Sequence, residues 1–224
     1  MEKVLPSIML ILLIMTCCND IQNSDNNTED CDIWMFNKSQ NSPEITLLND
    51  TLIICSDAKT DFFNDPDGTK PCNAPLLMAK IDNTQPFTFF AKVKPSFMKT
   101  NDAGAIYLYC NHNLWQKFAF EQDERGLTRL VSIRTNGTSD VNNHDVINQK
   151  DVYLKISSDT KIIGFYYSLN GKSWQLVRLY RNEYPPIAYL ALSAQSPTGD
   201  GIEVQFTKIT YVDCSIKITY RRVQ

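Results

Sequence analysis

The chain has 224 residues, of which 43% are hydrophobic and 11% aromatic, and its formal net charge is −3. A chain of this length can bury a sizeable core without disulfides or metal, and all-β folds of this length commonly form one domain. Lysine and arginine form no stripe that could neutralise a row of phosphates, which argues against nucleic-acid binding.

The first 18 residues resemble an export signal. Lys3 precedes an apolar run at 8–15, which is too short to span a membrane, and polar residues follow. Cys17 and Cys18 come directly after the run, so a lipid anchor at either one and soluble secretion both stay open. The polar stretch 19–30 predicts a disordered tether, and the folded domain is expected at 31–224, secreted or on the cell surface.

Ten short runs rich in β-branched and aromatic residues follow, with turn residues between them and no helical repeat. Asn170-Gly171 is a tight-turn signal, and Trp174, just after it, is expected to pack back on its sheet. The pattern predicts an all-β sandwich of two sheets. The predicted strands are 51–55, 87–93, 105–110, 115–121, 127–135, 152–157, 162–168, 174–180, 188–194 and 202–212.

The fourth and fifth runs predict a hairpin around the turn Asp123-Glu124-Arg125-Gly126. The predicted register pairs Trp115 with Arg134, Lys117 with Ser132 and Glu121 with Thr128. One face then holds Phe118, Phe120, Leu127, Val131 and Ile133, whereas the other holds Trp115, Lys117, Glu121, Thr128, Ser132 and Arg134.

The second face is the candidate site, because a ring can stack on apolar CH patches while charged groups and hydroxyls bond sugar hydroxyls. Alternation also turns Tyr107, Tyr109 and Gln195 away from the apolar side of their strands, so they extend this face if their strands join the same sheet. The competing interpretation is that these groups form an ordinary solvated face.

Five cysteines lie beyond the export signal, so at least one is unpaired within a monomer. Cys31 with Cys214 and Cys55 with Cys72 are the candidate disulfides, and Cys110 is expected to be a core thiol.

No cofactor is expected, because the cysteines and histidines lack metal-ligand spacing. Asp61, Asp65 and Asp67 offer oxygen ligands for Ca²⁺ as a weaker alternative, but their segment reads more simply as a turn.

Seven short motifs occur in a fixed order along the chain: 60–66 (TDFFNDP), 102–104 (DAG), 115–121 (WQKFAFE), 131–134 (VSIR), 139–140 (SD), 167–174 (YSLNGKSW) and 195–199 (QSPTG). With these motifs the chain resembles, from about residue 51 to 212, the regulation-of-enolase-like family, a large bacterial and fungal group catalogued as a domain of unknown function. The resemblance implies a concanavalin A-like jelly-roll sandwich of the lectin and glucanase superfamily, with two curved antiparallel sheets and a groove on the concave one.

These observations favour a non-catalytic module that binds carbohydrate, neutral or acidic, on the concave sheet. A protein-interaction or regulatory module is the chief alternative. A glycoside hydrolase or polysaccharide lyase is a weaker one, because Glu121 is the only carboxylate on the candidate face and hydrolysis needs two. The predicted ligand-binding residues are Tyr107, Tyr109 and Trp115 as stacking rings, Lys117, Glu121, Ser132, Arg134 and Gln195 as polar contacts, and Asp61 at the rim.

Overall fold

The computed structural model describes residues 35–36 and 38–216, which form fourteen β-strands and no α-helix. The all-β prediction is therefore confirmed. Residues 1–34 lie outside the described part of the chain, and with them the predicted export signal, lipid anchor and tether. The strands are β1 (Lys38–Gln40), β2 (Glu44–Leu48), β3 (Thr51–Asp57), β4 (Leu76–Asp82), β5 (Phe87–Pro95), β6 (Ala103–Asn111), β7 (Leu114–Gln122), β8 (Thr128–Asn136), β9 (Thr138–Val146), β10 (Val152–Ser158), β11 (Ile162–Ser168), β12 (Gln175–Arg181), β13 (Ile187–Gln195) and β14 (Gly201–Val212).

The strands form two seven-stranded sheets in which the paired strands run antiparallel. Sheet A has the order β1-β4-β13-β6-β7-β8-β9, and sheet B has the order β12-β11-β10-β5-β14-β3-β2. Each sheet combines strands from both halves of the chain, because β13 lies between β4 and β6 while β14 lies between β3 and β5.

The main core lies between the sheets and is built from the inward residues of alternating strands. The rings of Phe118 in β7 and Phe165 in β11 stack across it with centroids 5.2 Å apart. Gly104 in β6 marks a close approach of the sheets, since a Cβ there would lie 2.6 Å from Cγ1 of Val204 and 2.7 Å from Cγ1 of Val93. The absence of a side chain at this position therefore allows the two sheets to meet.

A second apolar cluster lies on the outer face of sheet A, beneath residues 60–74, which we name the covering segment. Phe62 is fully buried there. Asn64, also fully buried, fastens the segment by donating from its amide to the carbonyls of His112 at 2.9 Å and Gly137 at 3.0 Å. The outer face of sheet A is thus a closed interior surface in this region.

All ten predicted strands are confirmed, with small differences in their bounds, but the β7–β8 register is wrong by one residue. Trp115 pairs with Thr135, and Lys117 pairs with Ile133. The cause is the turn: Asp123 N donates to Leu127 O at 2.8 Å, and Gly126 has a φ of 76°, so the loop holds one residue more than predicted. A one-residue shift in register exchanges the two faces of a strand. The side chains of β8 that were predicted to share the face of Lys117 therefore lie on the opposite face of sheet A.

The predicted disulfide between Cys55 and Cys72 is wrong, because both are free thiols. Cys55 lies on β3 of sheet B, whereas Cys72 belongs to the covering segment on the far side of sheet A, so the sandwich separates them. The pair of Cys31 with Cys214 stays a prediction, since Cys31 is outside the described residues. Cys110 is half-buried against the main core, where burial raises its thiol pKa to about 11, as expected of a core thiol.

Candidate functional site

Lys117 in β7 is the centre of the predicted face, and it is buried. It is 2% exposed and donates hydrogen bonds to the main-chain carbonyl of Phe62 at 3.2 Å and to Oε1 of Gln195 at 2.9 Å. Asp61 Oδ1 lies 3.8 Å from its ammonium, and the Gln195 amide donates in turn to the hydroxyl of Tyr107. The structure therefore brings these side chains together as the sequence predicted, but as an interior network.

The three predicted stacking rings lie under Phe62 and not in a groove. The Phe62 ring meets Trp115 edge-on at 5.2 Å between centroids, and it meets Tyr107 and Tyr109 in the same manner at 6.0 and 5.9 Å. Trp115 and Tyr107 are fully buried and Tyr109 is 6% exposed. Contact between a glycan and these rings would require displacement of the covering segment, which Asn64 fastens.

Glu121 occupies the end of β7, where it is half-buried beside Ala103 of β6 and Arg129 of β8. Burial raises the pKa of Glu121 to about 7, with Asp61 and Asp123 adding to the shift while Lys117 and Arg129 oppose it. Its carboxyl group therefore holds a proton over part of the neutral range, which distinguishes it from an ordinary surface glutamate.

Ser132 and Arg134 do not share the face of Lys117. They point from β8 into the space between the sheets, at the edge where β8 and β9 face β12. There they belong to a group of polar side chains that we name the inter-sheet cluster. Its members are Gln116, Ser132, Arg134, Asp140, His144, Arg178, Tyr180, Glu183 and Tyr184.

The fully buried hydroxyl of Ser132 connects the two sheets. Its Oγ lies 2.8 Å from Nε2 of His144 and accepts a hydrogen bond from Nη1 of Arg178 at 3.0 Å. Burial lowers the pKa of His144, and the neighbouring positive charge of Arg178 lowers it further, against an opposing contribution from Asp145. A neutral imidazole can both donate and accept a hydrogen bond.

The two arginines of the cluster lie against one aromatic ring. The guanidinium carbons of Arg134 and Arg178 are 5.6 Å and 4.7 Å from the ring centroid of Tyr180. Each arginine has one carboxylate neighbour on the rim, since Arg134 Nη2 lies 3.3 Å from Glu183 Oε2 and Arg178 Nη2 lies 3.6 Å from Asp140 Oδ2. These carboxylates are solvated, with side chains 58% and 73% exposed.

Three members of the cluster bury polar atoms that are closed to solvent, namely both amide atoms of Gln116 and the hydroxyls of Tyr180 and Tyr184. The Tyr180 hydroxyl lies beside Ser132, and the Tyr184 hydroxyl lies beside Gln116 and Arg134. Gln116 pairs directly with Arg134 across β7 and β8. Burial raises the pKa of Tyr184 to about 12, although hydrogen bonds with Gln116 and Arg134 act against the shift. These buried groups form the interior of the cluster, whereas the side chains of Arg134 and Arg178 are 36% and 20% exposed and form its accessible part.

Sequence reasoning missed most of this cluster. Arg178 and Tyr180 are two positions apart in the predicted strand 174–180, which indicates that they share one face of it. No local pattern indicated that this face would lie against β8 and β9. Trp174, in contrast, does as predicted: it packs on Phe90 of sheet B with centroids 5.6 Å apart, and Nζ of Lys155 lies 3.4 Å from its ring centroid.

The described residues contain no group of three or more His, Cys, Asp or Glu side chains arranged to hold a metal ion. Asp65 and Asp67 accept hydrogen bonds from the main chain of their own turn, at Asp67 N and Thr69 N, and Asp61 accepts one from Phe62 N. Within residues 35–36 and 38–216, no helix has the length and apolarity needed to cross a membrane.

The fold is shared with solved structures of three kinds. A functionally unknown protein from Saccharomyces cerevisiae is 23% identical, with a TM-score of 0.72 over 79% of this chain and 95% of that one. The GH43 protein BlXynB from Bacillus licheniformis is 14% identical, with a TM-score of 0.57, and the match covers 76% of this chain but only 38% of that one. The exoplasmic/lumenal domain of VIP36, in its Ca²⁺/Man3GlcNAc-bound form, is 10% identical, with a TM-score of 0.52 over 81% and 85% of the two chains.

These likenesses identify the sandwich as a concanavalin-like jelly roll, as predicted. No curated protein matches the chain. The profile of one sequence family matches residues 35–214, which is most of the chain. The chain therefore belongs to the family described as "Protein of unknown function (DUF1349)".

Proposed function

We propose that this domain is a non-catalytic carbohydrate-binding module, exported from the cytoplasm, which binds its glycan at the inter-sheet cluster. The observation that carries the proposal is the pair of partly exposed arginines, Arg134 and Arg178, beside the Tyr180 ring and the half-buried His144. Sugars present many hydroxyls that both donate and accept, so they can bond two guanidinium groups and an imidazole at one place.

The cluster suits a sugar better than it suits an apolar ligand or a metal. Its polar groups come from a serine, a histidine, a glutamine, two tyrosines and two arginines, and these side chains fix a ligand's orientation by hydrogen bonding. The fold gives supporting analogy only, because solved proteins of this shape include a GH43 protein and a Man3GlcNAc-bound domain.

The proposal assigns different roles to the residues predicted from the sequence. Arg134 contacts the ligand, and Ser132 positions His144 and Arg178. Trp115, Tyr107, Tyr109, Lys117, Gln195 and Asp61 hold the covering segment in place, and Glu121 lies at the margin of that network.

Export is part of the proposal and is tested separately. Mass spectrometry of the mature N-terminus distinguishes a lipid on Cys17 or Cys18 from an unmodified start, and an uncleaved N-terminus would contradict export. The regulation-of-enolase relationship also stays a prediction, tested by whether the domain captures a protein partner in place of a glycan.

Binding of the exported chain to an array of neutral and acidic glycans tests the function. We expect at least a tenfold loss of affinity in Arg178→Gln and in Arg134→Gln. Lys92→Gln, which removes a half-buried ion pair with Asp151 on sheet B, is the matched control and should bind normally. Absence of glycan binding by folded protein would overturn the proposal, and release of reducing ends or unsaturated sugars would contradict its non-catalytic part.

Trp115→Ala is unsuitable as a binding probe. The ring is fully buried against Phe62, and removing a buried tryptophan typically costs about 3–5 kcal/mol of stability, so loss of binding would report unfolding.

A further inference from the structure

We propose that the glycan is acidic and that its carboxylate is held by Arg134 and Arg178, displacing Glu183 and Asp140 from them. This inference rests on the proposed function and names the ligand class of the same site. It follows from how these two arginines are paired, compared with an arginine elsewhere in sheet A.

Arg129 shows how the fold pairs an arginine for a structural purpose. Its Nη2 lies 2.8 Å from Oδ2 of Asp123 and its Nε lies 3.0 Å from the same oxygen, and the two side chains are 10% and 4% exposed. The two hydrogen bonds of this ion pair are short, and both side chains are largely shielded from water. Such a pair holds its geometry without help from a ligand.

Arg134 and Arg178 are paired in the opposite manner. Each has a single carboxylate contact, at 3.3 Å to Glu183 and 3.6 Å to Asp140, and both carboxylates are mostly solvated. Arginine–carboxylate bonds in their best geometry are about 2.7–2.9 Å long and are often double. Exposed ion pairs of this kind contribute little to stability, so an incoming carboxylate can replace Glu183 or Asp140 at a small cost in free energy.

The position of the two cations also favours an anion. Both guanidinium groups lie near the ring of Tyr180, with side chains only 36% and 20% exposed, so both are partly dehydrated beside one ring. Two like charges in such a place repel each other, and an anion between them removes the repulsion. A planar guanidinium matches a carboxylate in particular, because its parallel N–H groups fit the two oxygens.

The polar groups next to the arginines are partly accessible. Gln116, paired across the strands with Arg134, is fully buried behind it, whereas the half-buried His144 adjoins Arg178 through their shared contact with Ser132. In this assignment the carboxylate binds the two arginines, and a neighbouring ring hydroxyl bonds the half-buried His144. The ligand class is a uronic-acid-containing glycan.

The test compares three ligands on the exported chain by titration calorimetry: uronic-acid hexamers of several linkages, the same hexamers with their carboxyl groups reduced, and a sulfated neutral hexamer. We expect the uronate hexamer of one linkage to bind at least tenfold more tightly than its reduced form and than the sulfated sugar. Arg178→Gln and Arg134→Gln should each lose at least tenfold for the uronate and little for the reduced sugar.

Two further variants keep the test decisive if an arginine variant folds poorly. Asp140→Asn and Glu183→Gln remove the displaced carboxylates, so each should strengthen uronate binding severalfold while Lys92→Gln does not. Equal binding of uronate and reduced hexamers would overturn the acidic ligand but leave the proposed function standing. Preference for the sulfated sugar would overturn carboxylate recognition, and no binding of any glycan would overturn both proposals.

Discussion

The ammonium of Lys117 and the main-chain carbonyl of Phe62 lie 3.2 Å apart, joined by a hydrogen bond that links the middle of β7 to the covering segment. This bond turns a residue with the chemistry of a ligand contact into part of the domain's interior. The outer face of sheet A, which the sequence suggested as a ligand surface, is thus closed by the covering segment.

Asn64 should be the residue on which the covering segment most depends. Asn64→Ala removes the amide donor to the part-buried carbonyl of Gly137 and one of two donors to that of His112, which keeps the Trp115 indole N–H at 3.3 Å. We expect the free energy of unfolding in urea to fall by about 1–3 kcal/mol. Asn143→Ala, on the exposed edge strand β9, is the control and should change little; equal stability of the two variants would contradict this account.

Gly104 should tolerate no side chain. In Gly104→Ala the new methyl group meets Val204 and Val93 across the core, and overpacking of this kind costs about 1–3 kcal/mol. Gly164→Ala is the matched comparison in β11, since the group met there is the end of the Tyr166 side chain, which can rotate away. Thermal unfolding should show the larger loss for Gly104→Ala, and the reverse order would contradict the close approach of the sheets.

Glu121 should make stability decrease as pH rises. Its folded-state pKa is raised from 4.5 to about 7, so the folded protein binds the extra proton between these values. The contribution of this proton to the free energy of unfolding is fully present below pH 4.5 and is lost as pH rises through 7. The free energy of unfolding of Glu121→Gln, measured in urea, should therefore rise relative to that of the wild type as pH increases from 4.5 to 7. The exposed Glu124→Gln should show no such rise. Parallel plots of the free energy of unfolding against pH for Glu121→Gln and the wild type would rule out the pKa shift.

Lys155 should have the opposite effect in a higher pH range. Burial lowers its pKa from 10.5 to about 7, so above pH 7 the unfolded chain binds a proton that the folded protein does not. The wild type should gain stability relative to Lys155→Met between pH 7 and 9.5, a range that stops below the titration of most tyrosines. Lys92→Met serves as control. A difference in the free energy of unfolding between the wild type and Lys155→Met that does not change with pH would mean that the Trp174 ring keeps the Lys155 ammonium charged.

The alternation of side chains was enough to predict strands with one buried and one exposed face, such as β3 and β14, but not strands of other kinds. β4 was missed because Leu76, Leu77, Met78 and Ala79 are all buried, since the covering segment closes the outer face of sheet A. β9 was missed for the contrary reason: it is a polar edge strand, exposed along most of its length.

The candidate site was harder to predict because it depends on contacts distant in sequence. The one-residue error at Gly126 moved Ser132 and Arg134 to the wrong face, and no local pattern distinguishes a three-residue loop from the predicted two-residue loop in this segment. Arg178 reaches Ser132 across 46 positions of sequence. Alternation shows which residues share a face of a strand, but not which face another part of the chain will cover.

The place of β14 between β3 and β5 has a consequence for biosynthesis. Sheet B cannot be completed until residue 212 has been made, although β3 ends at residue 57. Until then both β3 and β5 present unpaired main-chain groups on the side that β14 will occupy, which invites pairing with other chains. Many strand partners are far apart in sequence, so folding should be slow once synthesis is finished, and the nascent domain should need protection from aggregation throughout translation.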